Sequence, residues 1–189
     1  MEKKRIVVGI SGASGAPLAI SCLKELKKHP EIETHLVIST GGKMTILQET
    51  DFSMEQVKAL ADVYHEQDQI GASIASGSFR CEGMIIVPCS MKTVAGIANG
   101  YSDNLLLRAA DVMIKEKRRL VLVARETPLS PIHLRNLSYL AGISNITVLP
   151  PMLTFYQLPE TIEDMVRHMT GKILDQFRID CTGYRRWNG

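Results

Sequence analysis

The strongest constraint on this chain lies near its start, in Val8-Gly9-Ile10-Ser11-Gly12-Ala13-Ser14-Gly15-Ala16-Pro17. The apolar run Ile6-Val7-Val8 leads in, and a helix-like run from Leu18 to Lys28 leads out. Strand, small-residue turn, helix is the opening unit of an α/β fold. Glycines let backbone amides close on an anion, and the helix N-terminus adds its positive end. Ser11 and Ser14 add hydroxyl donors. The competing reading is a tight turn with no ligand, because glycine-rich β–α turns are common in such folds.

The rest of the chain repeats the alternation. Strands are expected at Ile6 to Ile10, Thr34 to Ser39, Met84 to Pro88, Leu120 to Ala124 and Ile146 to Leu149. Helices are expected at Leu18 to Lys28, Lys43 to Glu49, Met54 to Ala61, Val94 to Ala98, Leu105 to Glu116, Pro131 to Ala141 and Ile162 to Phe177. Ser53, Asn104 and Thr161 stand as N-caps, and Gly142 as a stop. The stretch from Asp62 to Phe79 is weakly patterned, and Gly71 to Ser78 reads equally as a loop near a site or a packing surface. This order predicts one α/β domain over residues 1–189, a doubly wound parallel sheet with right-handed crossovers.

Composition narrows the function classes. A net charge of +2 gives no case for nucleic acid or an anionic membrane. No apolar run reaches the ~18 residues of a membrane-spanning helix. The charged opening Met1-Glu2-Lys3-Lys4-Arg5 enters a strand directly, which predicts a cytoplasmic protein. Cys22, Cys81, Cys89 and Cys181 are scattered, as reduced thiols are, and Cys89 reads as structural rather than nucleophilic. The five histidines show no metal-ligand spacing, so no metal site is expected.

In doubly wound sheets ligands bind beyond the carboxyl ends of strands. Ser11 to Gly15, Ser39, Ser90 to Thr93, Arg125-Glu126 and the Pro150–Tyr156 loop all fall at such ends. The strand ending at Ser39 lacks the acidic residue of a dinucleotide site, and the glycines read GxxGxxG without a P-loop lysine. A phosphate-bearing mononucleotide fits better than NAD or ATP. Arg108, Asp111 and Lys115 share one helix face, which on its own reads as a solvated charged stripe.

The segments GISGASGA (9–16), THLVIS (34–39), ETDFS (49–53), ASGSF (75–79), PCSMKT (88–93), LLLRAADVMIKE (105–116), LVLVARETPL (120–129), ILDQF (173–177) and the closing RRWNG resemble the flavin prenyltransferase family. Its members were long described as small subunits of aromatic-acid decarboxylases. The resemblance implies a Rossmann-like, flavodoxin-type fold assembled as a homododecamer. It implies FMN as cofactor and transfer of a dimethylallyl group from dimethylallyl phosphate to reduced flavin, closing a ring across N5 and C6. The prenylated FMN would serve a separate partner decarboxylase. By motif, Gly12, Ala13, Ser14, Ser39, Ser90, Met91, Lys92, Thr93 and Arg125 would hold FMN. Arg108, Lys115, Arg125, Tyr156 and Lys172 would bind the prenyl phosphate, with parts of that clamp crossing a subunit boundary. Glu49, Glu126 and Ser14 would act in catalysis, the two carboxylates handling protons. Thr154 and Lys172 stand where many members carry Ala and Arg.

Two other readings share this fold. One is an FMN-dependent cysteine-type decarboxylase, whose Pro-x-Met-Asn clamp is absent from Pro150-Pro151-Met152-Leu153-Thr154. The other is a non-catalytic FMN carrier subunit of a hydroxyarylic acid decarboxylase.

Overall fold

A computed structural model describes residues 3–187. Met1, Glu2 and the last two residues of the closing RRWNG lie outside the described residues. Six strands, β1 (Lys4–Ile10), β2 (Ile32–Ile38), β3 (Val63–His65), β4 (Gly83–Cys89), β5 (Arg119–Ala124) and β6 (Ile146–Val148), form one sheet in the order β3-β2-β1-β4-β5-β6. Every ladder is parallel.

Seven α-helices among the described residues flank the sheet: α1 (Ala16–Leu26), α2 (Thr40–Glu49), α3 (Met54–Lys58), α4 (Met91–Ala98), α5 (Leu105–Lys115), α6 (Pro131–Ala141) and α7 (Ile162–Asp175). Alternation along the strands sorts the core into two layers. Ile6, Val8 and Ile10 of β1 face α1, α2, α3 and α7, through Leu23, Ile46, Val57 and Ile173. Val7 of β1 and Ile86 of β4 face α4, α5 and α6, through Val94, Ala110 and Leu140.

The sequence predicts five strands, and the structure adds a sixth, β3. It is three residues long and sits at the sheet edge, where its ladder has partners on one side only. Without it the order is 2-1-3-4-5, the flavodoxin arrangement; with it, 3-2-1-4-5-6. α2 begins at Thr40, not Lys43, because the Ser39 side chain accepts from the Gly42 amide and draws two glycines into its first turn. α1 begins at Ala16 and α7 ends at Asp175, each two residues from its expected end. Thr161 and Asp164 complete a capping box, as do Ser53 and Gln56.

Successive crossovers run one way from β1 to β2 and the other way from β4 to β5. The carboxyl ends of β1 and β4 therefore flank the switch point. Pro88 brings no amide to the ladder, and the β4–β5 register shifts between Ile86 and Cys89. This irregularity splays the end of β4 immediately before Ser90.

Candidate active site

Three helices begin around this switch point. The caps are Ser39 on α2, Ser90 on α4 and Asn104 on α5, and each side chain accepts from an amide of its own first turn. First-turn amides without carbonyl partners, and the positive ends of the helices, make such termini anion sites. They enclose a cleft of about 440 Å³, lined among others by Gly12, Gly41, Ser90, Lys92 and Thr93. Larger depressions exist, notably about 790 Å³ between α1 and α7. The cleft at the switch point combines topology with a phosphate-binding donor set, and size alone does neither.

Gly12 and Gly41 form the cleft wall by direct backbone contact. A Cβ on Gly12 would lie 2.9 Å from the Gly41 Cα. Only glycine at both positions lets the β1–α1 turn meet the start of α2, leaving main chain as the surface offered to a ligand. This cradle, with the Ser39, Thr40, Ser90 and Thr93 hydroxyls and the Lys92 ammonium, fits a flavin mononucleotide.

Ser11 departs from its expected role. It is buried; its hydroxyl donates to the Pro88 carbonyl at 2.9 Å and accepts from the Ser90 amide at 2.8 Å. It is a strut tying the end of β1 to the end of β4, not a ligand donor. Met91 is also buried, in the core on the α4 side, and is not part of the cleft lining. Ala13 is buried, and Ser14 is exposed.

Glu49 lies at the end of α2, yet it caps a different helix. One carboxylate oxygen accepts from the Gly15 amide at 2.8 Å and the Ala16 amide at 2.9 Å. Gly15, at φ 127°, has no side chain with which to cap α1 itself. Burial pushes the Glu49 carboxyl up, but hydrogen bonds from the Ser14 hydroxyl and these two amides, with the Arg125 charge, hold it below its ordinary value. Ser14, Glu49 and Arg125 thus form one group. The Arg125 amide donates to the Cys89 carbonyl at 3.1 Å, which fixes the end of β5 beside β4. Glu126 is exposed and accepts from the Thr127 amide at 3.0 Å.

The remaining expected residues divide between the two faces of the sheet. Arg108 pairs with Asp111 at 2.7 Å on α5. Lys115, at the far end of that helix, pairs with Glu116 at 2.7 Å. Its ammonium lies beside Gly77, and the Gly77 carbonyl accepts from Arg118 at 2.6 Å, so Gly71 to Ser78 packs on the far end of α5. Tyr156 and Lys172 belong to the other face, where α7 packs on α1. One chain does not gather Arg108 and Lys115 with Tyr156 and Lys172, because the sheet stands between them.

Sequence reasoning missed Gln67 and His168. The Gln67 side-chain carbonyl accepts from the Thr40 amide at 2.9 Å, and its main-chain carbonyl accepts from the Leu105 amide at 2.8 Å. Gln67, two residues beyond the unseen β3, therefore pins the starts of both α2 and α5. Cys89 is wholly buried, and burial raises its thiol pKa, as a structural cysteine requires. Among the described residues no group of three or more His, Cys, Asp or Glu side chains could hold a metal ion.

A doubly wound sheet with an anion-binding cleft at its switch point is the class that this fold and cleft define, and the Flavoprotein family matches residues 1–174. Flavin prenyltransferase LpdB of Lactiplantibacillus plantarum is 54% identical over 186 residues, spanning 98% of this chain and 99% of its own. A dodecameric FMN-dependent UbiX-like decarboxylase from Escherichia coli O157:H7 superposes with a TM-score of 0.96 at 50% identity, covering 98% of this chain and all of the other. AnUbiX, crystallised in complex with FMN and dimethylallyl pyrophosphate, gives 0.96 at 48% identity over 100% of this chain and 99% of its own. The chain belongs to the flavin prenyltransferases of the Flavoprotein family.

Proposed function

We propose that this chain binds FMN in the cleft between the carboxyl ends of β1 and β4 and transfers a dimethylallyl group to it. Dimethylallyl phosphate is the donor. The carrying observation is the convergence of three helix N-termini on a glycine-walled cleft, in a chain half identical to flavin prenyltransferases. Bound in its reduced form, the flavin supplies the two ring positions that the allyl group joins.

The chain's own residues do the rest. Ser39, Ser90, Lys92, Thr93 and the amides of α2 and α4 hold the flavin phosphate. Breaking the allylic C–O bond leaves charge on the departing phosphate, and Arg108, Lys115, Arg125, Tyr156 and Lys172 neutralise it. Their separation across the sheet supports a site shared between copies of the chain, and the dodecamer of the E. coli relative supports the same assembly here. Glu49, ionised and bonded to the Ser14 hydroxyl, orients that hydroxyl and can take a proton through it. Glu126, at the exposed end of β5, is the second proton acceptor.

Residues 1–189 act as one flavoprotein domain in the cytoplasm, and the prenylated FMN passes to a partner decarboxylase. No helix among the described residues is long and apolar enough to cross a membrane. The test is a pair of variants. Arg125→Ala should weaken both FMN and prenyl-phosphate binding, whereas Glu126→Gln should slow turnover about tenfold or more with FMN still bound. Unchanged turnover in both would leave the carrier reading standing.

A further inference from the structure

His168 is a buried histidine on α7 that the phosphate-site reading leaves without a task. Its Nε2 lies 3.2 Å from the Tyr156 hydroxyl, and the two rings meet edge to face at 5.5 Å and 85°. Trp187 also packs edge-on with Tyr156 at 5.4 Å, and Tyr184 leans on His168 at 5.5 Å. The four rings form one ladder that carries an otherwise exposed loop tyrosine on a fixed base. Gly171 admits the ladder, since a Cβ there would come within 2.2 Å of the Tyr184 ring. Lys172 stands one helical turn beyond His168.

The direction of the Tyr156–His168 hydrogen bond decides what the tyrosine can do. A phenol carries one proton. If that proton goes to His168, none remains for an anion. If Nε2 carries the proton instead, the phenol oxygen accepts from the imidazole and its own O–H stays free for a phosphate oxygen. Burial and the neighbouring Lys172 charge both disfavour the imidazolium, so His168 is neutral and has a single ring proton to place.

We propose that His168 is a positioning residue for the prenyl phosphate: its Nε2–H holds the Tyr156 oxygen and directs the phenol proton to the phosphate that Lys172 also binds. This rests on the reading of Tyr156 and Lys172 as phosphate ligands. It adds a donor that touches neither substrate nor flavin.

The test uses the whole protein loaded with oxidised FMN, which cannot turn over, titrated calorimetrically with dimethylallyl phosphate. KM and kcat are then taken anaerobically with reduced flavin. His168→Phe keeps a ring in the ladder and removes the hydrogen bond. It should raise Kd and KM about threefold to tenfold, the loss of one hydrogen bond, with FMN affinity and assembly mass unchanged. His168→Gln offers an amide N–H and should recover most of the loss, and His168→Met should repeat it without an aromatic ring. In a Tyr156→Phe background the His168→Phe change should add nothing. If Tyr156→Phe weakens binding and His168→Phe does not, or if the two losses add in full, this proposal is overturned and the phosphate site stands. If Tyr156→Phe leaves Kd unchanged, the phosphate-site reading of Tyr156 falls, and this proposal with it.

Discussion

Glu49, proposed above as a proton acceptor, also serves the fold. Its carboxylate caps α1 from another element and holds the Ser14 hydroxyl. Glu49→Ala removes the cap and should cost about 1 kcal/mol, read as a lower Tm at neutral pH. The sign of the acid dependence follows from the carboxyl's lowered pKa. The stabilisation is fully present above the unfolded carboxyl's ~4.3 and is lost as pH falls through the lower folded value. The Tm gap between wild type and Glu49→Ala should therefore narrow in acid; a gap that widens there would refute an ionised cap. Nothing local in the sequence marks this role. The only signal is negative: α1 opens Gly15-Ala16-Pro17 with no capping side chain, so its acceptor has to come from elsewhere. Ser11 was misjudged for the opposite reason. A serine after a strand looks the same whether it meets a ligand or, as here, spans to the neighbouring strand.

At the scale of elements, the β1–α1 turn and the starts of α2 and α5 are held against each other by short-range contacts. Gly12 meets Gly41 backbone to backbone, and Gln67 bonds to Thr40 and Leu105. Gly12→Ala places a methyl against Gly41 main chain, which cannot give as a flexible side chain would. We expect ~1–3 kcal/mol of overpacking strain and a fall in FMN affinity of about tenfold, measured by flavin fluorescence titration. Wild-type affinity in this variant would remove the glycine wall from the site. Strong elements were legible because period and caps agreed, as in Leu105–Lys115 behind Asn104. β3 was not, because three edge residues carry too little alternation to read, and with it went Gln67.

At the scale of the whole molecule, large apolar side chains remain exposed. Met152, Leu153, Phe155, Leu158 and Ile162 expose large apolar surface around Tyr156, with Leu158 84% exposed. A second exposed apolar pair, Ile132 and Tyr139, shares one face of α6. Surfaces of this kind mark protein–protein contact. The Leu153→Asp, Leu158→Asp double variant should lower the assembly mass in light scattering and reduce prenyl transfer at least about tenfold, because the phosphate site loses residues from the second copy. Full transfer by a dissociated chain would contradict a shared site. The resemblance pointed to Arg108, Lys115, Tyr156 and Lys172 as one clamp with parts crossing a subunit boundary, and the sheet that separates the two pairs within one chain is the physical reason for that expectation.

Prenyl transfer to the flavin can be read from the product itself. The purified protein is incubated without oxygen with reduced FMN and dimethylallyl phosphate, and the released flavin is weighed by mass spectrometry. The account predicts a flavin heavier by one isoprene unit, formed by wild type and slowed in Glu126→Gln. Unmodified flavin, from protein shown to hold FMN, would contradict it.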